Sequence, residues 1–155
     1  MIALTGHEAA LVADYCPGAA ARVRIVGNGI EDIPDSCVEA GVRDGSCRDG
    51  SCEAPLVLYT GRFVEHKGIT DLLEAIPRVL AQAPNTRFVL AGGHRGCGGD
   101  DMAARWLPPQ MRAYWSSGRI HFTGWLTPPE IDAWYRRADV LVVPSWYEPF
   151  GMVIL

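Results

Sequence analysis

A chain of 155 residues, 48% of them hydrophobic, has room for one domain with a sizeable core. Its net charge of −4 supplies no basic field for a polyanion, which disfavours nucleic acid as a partner. No apolar run approaches the roughly 20 residues that span a bilayer, and Met1 to Val12 lacks the basic start of a signal peptide, so a soluble, cytoplasmic protein is expected.

His7 to Cys16 carries Ala9, Ala10, Leu11, Val12 and Tyr15 in a helix-compatible pattern, stopped by Pro17 and Gly18. His7-Glu8 does not open a zinc-protease motif, because the second histidine would fall at position 11, which is Leu11. Arg22 to Val26 alternates as a short strand, and Gly27-Asn28-Gly29-Ile30 turns the chain away. From Pro34 to Pro55, Gly, Ser, Asp and Arg dominate, and Arg43-Asp-Gly-Ser-Cys47 is repeated as Arg48-Asp-Gly-Ser-Cys52. A tandem pentapeptide of turn formers predicts a flexible surface insertion over 34–55. The spacing of Cys37, Cys47 and Cys52, with Asp44 and Asp49, matches no metal-ligand set, so no metal is expected. Five cysteines, an odd number, suit reduced thiols, and none is given a role.

The rest is organised around Leu56 to Gly68, Leu-Val-Leu-Tyr-Thr-Gly-Arg-Phe-Val-Glu-His-Lys-Gly. Its apolar start, between Pro55 and Gly61, reads as a strand buried on both faces. A helix is expected at once, with Ile69, Leu72, Leu73, Ile76, Val79 and Leu80 on one stripe and a kink at Pro77. A helix N-terminus carries roughly half a positive elementary charge, and Arg62 and Lys67 flank it. This turn suits a phosphate or diphosphate, although solvated turn cations are the commoner fate of such residues.

The helix should end near Ala83 to Pro84, before a second buried strand, Arg87 to Ala91. The glycines of Gly92 to Gly99 do not fit Gly-x-Gly-x-x-Gly, so a dinucleotide fingerprint is absent. Asp100 to Ser117 reads as broken helix around Pro108-Pro109, and Arg119 to Thr123 as another strand. Thr127 then caps a helix with Pro128 first, Glu130 completing a capping box and Leu126 facing Ile131 as a staple. Ile131, Trp134, Tyr135 and Ala138 are read as its core stripe, and Val140 to Val143 as the last strand. After Pro144-Ser145-Trp146-Tyr147-Glu148, a helix is expected from Pro149. Alternating strands and helices imply a mostly parallel sheet with helices on both faces and ligands beyond the strands' carboxyl ends. That rule gathers Gly61 to Gly68, Gly92-Gly93, Gly124 to Leu126 and Ser145 to Gly151 at one rim.

Three rim segments together resemble the donor-binding domain of retaining family-4 glycosyltransferases (glycosyl transferases group 1), which have the GT-B fold of two facing Rossmann-like domains. The matching residues are Val57-Leu-Tyr-Thr-Gly-Arg62 with Lys67-Gly68, Ile120-His-Phe-Thr-Gly124, and Pro144-Ser145 with Glu148-Pro149-Phe150-Gly151. Val23-Arg-Ile-Val-Gly-Asn28-Gly29-Ile30 is similar to the strand and turn that open this domain. The resemblance implies an incomplete Rossmann-like domain over 22–155, interrupted by the insertion, with 1–21 as the end of a preceding domain or a linker helix.

It also implies metal-independent transfer, with retention of configuration, of a hexose from a UDP or GDP sugar, with no cofactor. Arg62 and Lys67 would bind the donor diphosphate, and preplaced cations there stabilise charge that grows on the leaving phosphate. Glu148 matches the first glutamate of the family's Glu-x7-Glu motif and would contact the donor sugar. Beside it, Pro149 leaves the N–H groups of Phe150, Gly151 and Met152 free for sugar hydroxyls. Gly61 would join the donor site, and Gly124 to Leu126 would lie against the base, with Trp125 as apt to pack as to stack. The second glutamate would be residue 156, one place beyond Leu155, and Met152 to Leu155 is an apolar helix cut short. The chain is therefore expected to be an internal piece of a longer enzyme and inactive alone. Its acceptor would be held mainly by a missing N-terminal domain, and a peripheral membrane contact of the full-length enzyme is allowed. The alternatives are a non-catalytic nucleotide-binding fragment or a nucleotide-sugar epimerase of similar fold; a phosphorylase of similar architecture would need a lysine-anchored pyridoxal cofactor, for which the sequence makes no case.

Overall fold

A computed structural model describes residues 2–3, 5–26 and 54–148. They form two compact units, the first drawn from Met1–Ile33 and Tyr147–Leu155, the second from Pro34–Trp146.

In the first unit a short strand, β1 (Ile2–Ala3), leads into a helix, α1 (Gly6–Tyr15), as its pattern predicts. Thr5 caps α1 by accepting a hydrogen bond from the Glu8 amide at 3.1 Å. A 3-10 turn, Pro17–Arg22, follows, and a strand narrower than expected, β2 (Arg24–Ile25), pairs in parallel with β1. Tyr147 belongs to the same unit, its ring 6.1 Å from that of His7. The turn at Asn28 to Ile30, the insertion apart from Ala54 and Pro55, the three cysteines within it and the helix from Pro149 lie outside the described residues.

The second unit is a parallel sheet of β3 (Leu56–Gly61), β4 (Arg87–Gly92), β5 (Ile120–Gly124) and β6 (Val140–Leu141), in the order β5-β4-β3-β6. The apolar run of β3 is buried on both faces. Leu56 and Leu58 point into one cluster, Val57 and Tyr59 into the other. The helix after β3, α2 (Ile69–Gln82), does not follow at once: Arg62 to Val64, a 3-10 turn at Glu65–Lys67 and Gly68 intervene. It buries Ile69, Leu72, Leu73, Ile76 and Leu80, whereas Val79 is 38% exposed and leaves the predicted stripe. Each full burial of this kind contributes about 1.5–3 kcal/mol relative to exposure. The helix continues through Pro77 and ends at Gln82, with Ala83 as its C-cap.

The broken helical segment resolves into α3 (Gly99–Trp106), a 3-10 turn at Pro109–Met111 and α4 (Arg112–Ser116). Pro108, extended at φ −59° and ψ 142°, makes the break. The last helix, α5 (Pro128–Arg137), starts as its sequence specifies. The Glu130 carboxylate accepts from the amide of Thr127 at 2.7 Å and from its hydroxyl at 2.6 Å. These bonds hold the Glu130 pKa below its ordinary value.

Chain order and right-handed crossovers explain the layering. From β3 to β4 to β5 the chain moves one way across the sheet; from β5 to β6 it moves back past β3. A right-handed connection then places α5 on the face opposite α2. One cluster accordingly joins α2 and α3 to the sheet around Phe63, which is fully buried, its ring 5.8 Å from Tyr59 and 5.9 Å from Phe122. The other joins Leu56, Leu58, Val89 and Ala91 to Ile131, Trp134 and Ala138 of α5. No helix among the described residues is long and apolar enough to cross a membrane.

Candidate functional site

The carboxyl ends of β3 and β4 form the floor of a cleft of about 300 Å³ on the α5 side of the sheet. Thr60, Gly61 and Arg62 come from the end of β3, Ala91 and Gly92 from β4, Trp125 and Leu126 from the loop after β5, and Ile131 and Tyr135 from α5.

The two strand ends approach closely. Gly61 and Gly92 are paired in register, and the Gly93 amide donates to the Gly61 carbonyl at 2.9 Å. A Cβ on Gly92, whose φ is +116°, would lie 2.2 Å from that carbonyl oxygen, so only glycine fits. Arg62 follows directly, exposed at the rim. Its carbonyl accepts the Tyr59 hydroxyl at 3.1 Å, and the neighbouring Phe63 plugs the core, so the backbone that presents the guanidinium is fixed on both sides. On the opposite wall the Trp125 amide donates to Cys97 at 3.1 Å, while the Trp125 side chain is 48% exposed.

The cleft brings together Gly61, Arg62 and Leu126 from the residues singled out in the sequence, with Gly124 two positions before Leu126. Lys67 is half-buried in the 3-10 turn on the way to α2 and is not among the residues lining the cleft. Glu148 is half-buried and belongs to the first unit. Pro149, Phe150, Gly151 and Met152 lie outside the described residues.

Tyr135 departs from its reading as plain core. It is 38% exposed, lines the cleft, and its hydroxyl meets that of Thr60 at 2.8 Å. Thr60, Ile131 and Tyr135 thus line the cleft although the sequence reading gave them no role in a site. The signal was the i, i+4 spacing of Ile131 and Tyr135, which puts both on one helix face.

The cleft is mostly apolar and aromatic, with one guanidinium at its rim. Such a surface can hold a flat apolar or heterocyclic group against Trp125, Leu126 and Ile131, with an attached anion at Arg62. Among the described residues, no group of three or more His, Cys, Asp or Glu side chains is placed to hold a metal ion.

Comparison with known proteins gives consistent descriptions. The family described as glycosyl transferases group 1 matches residues 54–155. A glycogen synthase of Mycobacterium tuberculosis is 38% identical over 99 residues, covering 64% of this chain and 22% of that protein. The alpha-D-kanosaminyltransferase of Streptomyces kanamyceticus is 29% identical over 125 residues, covering 81% and 31%. Among solved structures, sucrose-phosphate synthase from Thermosynechococcus elongatus superposes with a TM-score of 0.65 at 28% identity, covering 98% of this chain and 36% of that one. The chain thus spans between about a fifth and about a third of the length of these relatives.

Proposed function

The chain belongs to the glycosyl transferases group 1 family, and from that premise we propose that it is the donor-binding part of a retaining hexosyltransferase that uses a UDP or GDP sugar without a metal ion. The observation that carries this reading is the cleft at the strands' carboxyl ends, where Arg62 borders an apolar pocket next to Trp125 and Leu126. The nucleoside occupies the apolar part, against Leu126 and the backbone that leads to it from Gly124. The diphosphate lies at Gly61 and Arg62, with Lys67 as the second cation.

When the bond between sugar and nucleotide breaks, negative charge grows on the leaving phosphate. Fixed cations stabilise that charge more than they stabilise the intact donor, and one such contact is typically worth about 3 kcal/mol of barrier. Glu148 accepts from the sugar hydroxyls, and the amides of Phe150, Gly151 and Met152, behind Pro149, donate to them. The acceptor is held mainly by residues outside this chain, so the chain alone binds donor without turning it over.

The test is calorimetric titration of the chain with UDP and with GDP in the presence of a chelator. Arg62→Ala should weaken binding tenfold or more, about the effect of one lost charge-assisted contact. Equal affinity of the variant and the unmodified chain would remove the diphosphate assignment. In the longer enzyme, donor consumption that is indifferent to Glu148→Ala would remove the sugar contact.

A further inference from the structure

The loop that follows β6 meets the segment that carries Lys67 and the start of α2 through two hydrogen bonds and one close approach. The main-chain amide of Trp146 donates to the carbonyl of His66 at 3.0 Å. Gly68 sits so close to Pro144 that a Cβ there would lie 2.1 Å from the Pro144 carbonyl oxygen. The indole N–H of Trp146 donates to the carboxylate of Asp71, in the first turn of α2.

These contacts grip the residues on either side of Lys67 while the far end, Asp71, is anchored to a helix whose start is held by the buried Ile69, Leu72 and Leu73. Trp146 itself is 64% exposed, so its ring contributes little burial, and its indole N–H is spent on the Asp71 side chain. An exposed indole spent in this way acts on geometry more than on core stability.

From these contacts we propose that Trp146 is a positioning residue, which through Asp71 and His66, with Pro144 packed on Gly68, holds Lys67 where it meets an anionic guest. The inference rests on the diphosphate reading of Arg62 and Lys67 given above. The 3-10 turn of Lys67 spans only Glu65–Lys67, and turns of this length make few backbone bonds of their own. Without the indole bond the Pro144–Trp146 loop keeps its main-chain bond to His66 but loses its tie to the start of α2, so it is held less firmly beside the turn. The backbone of Lys67 then samples several orientations, and the entropy of ordering it falls on ligand binding.

The experiment compares the chain with its Trp146→Phe, Asp71→Asn and Asp71→Leu variants in two measurements. The first is amide hydrogen exchange at Lys67 and Gly68, which donate to Val64 at 3.0 Å and to Glu65 at 2.8 Å. The second is the affinity for inorganic pyrophosphate. Trp146→Phe and Asp71→Leu should speed exchange at both amides and weaken pyrophosphate about tenfold, as expected for a loosened charge-assisted contact, while Asp71→Asn, which keeps an acceptor, should restore most of both. In a Lys67→Ala background, Trp146→Phe should have no further effect on affinity.

Unchanged exchange in Trp146→Phe would overturn the tie, whatever the ligand result. Faster exchange with unchanged pyrophosphate affinity, in a chain that Lys67→Ala does weaken, would overturn the positioning role. Loss of pyrophosphate binding by neither Arg62→Ala nor Lys67→Ala would instead sink the diphosphate reading, and this inference with it.

Discussion

Replacing Gly92 by alanine tests the close approach that shapes the floor of the cleft. The added methyl would sit 2.2 Å from the Gly61 carbonyl oxygen, nearly an ångström inside the closest contact that real Cβ atoms make. The Gly92 φ of +116° would strain any side chain as well. That strain costs about 1–3 kcal/mol. Relief of the clash pushes the ends of β3 and β4 apart, breaking the bond from the Gly93 amide to Gly61 at a cost of about 1 kcal/mol. The expected destabilisation is about 3 kcal/mol, a fall in melting temperature on the order of 10–20 °C for a unit of this size. Because Gly61 precedes Arg62, the same shift should weaken nucleotide binding. Gly96→Ala is the control: its φ is +84°, but nothing lies within 4 Å of the added methyl. It should cost about 1 kcal/mol, the backbone term alone. Urea unfolding of both variants is the assay. If the two lie within 1 kcal/mol of each other, the close contact is not what sets this turn.

Three more expectations follow from other parts of the structure. Phe63→Ala, which empties the fully buried ring position beside Tyr59 and Phe122, should cost about 3–5 kcal/mol in urea unfolding. A double-mutant cycle of Tyr135→Phe with Thr60→Val should reveal a coupling of about 0.5–1 kcal/mol from their hydroxyl pair, and zero coupling would refute a bond across the cleft. His121 has its pKa lowered from the ordinary value of 6.5, first by burial and then by the Arg87 charge. The unfolded chain therefore takes up this proton first, and the stability His121 contributes is full above pH 6.5 and declines as pH falls from there towards the folded pKa. An NMR titration should show that shift, Arg87→Gln should reverse it only in part, and His121→Gln should flatten the corresponding slope of stability against pH.

What the amino-acid order determined is what depends on neighbours in the chain. The apolar run at Leu56 to Thr60 specified a strand buried on both faces, because alternate side chains of an extended backbone leave on opposite sides. Thr127, Pro128 and Glu130 specified where α5 begins, because a capping box closes within three residues. The glycine after β3, the guanidinium that follows it and the loop at Leu126 were legible as rim residues from the rule that parallel strands present their carboxyl ends to ligands.

Contacts between segments distant in sequence were decided only by the tertiary structure. Val79 falls at the edge of the apolar stripe of α2 and is 38% exposed, while Ile69, Leu72, Leu73, Ile76 and Leu80 are buried. Tyr135 was readable as core but reaches Thr60, 75 residues away, and lines the cleft. Phe63, without periodic company in the sequence, anchors the Arg62 loop, and Trp146 reaches Asp71 across another 75 residues. Local sequence sets dihedral angles and periodicity. Which side chains then meet depends on the strand order and on the hand of each crossover, properties of the folded chain as a whole.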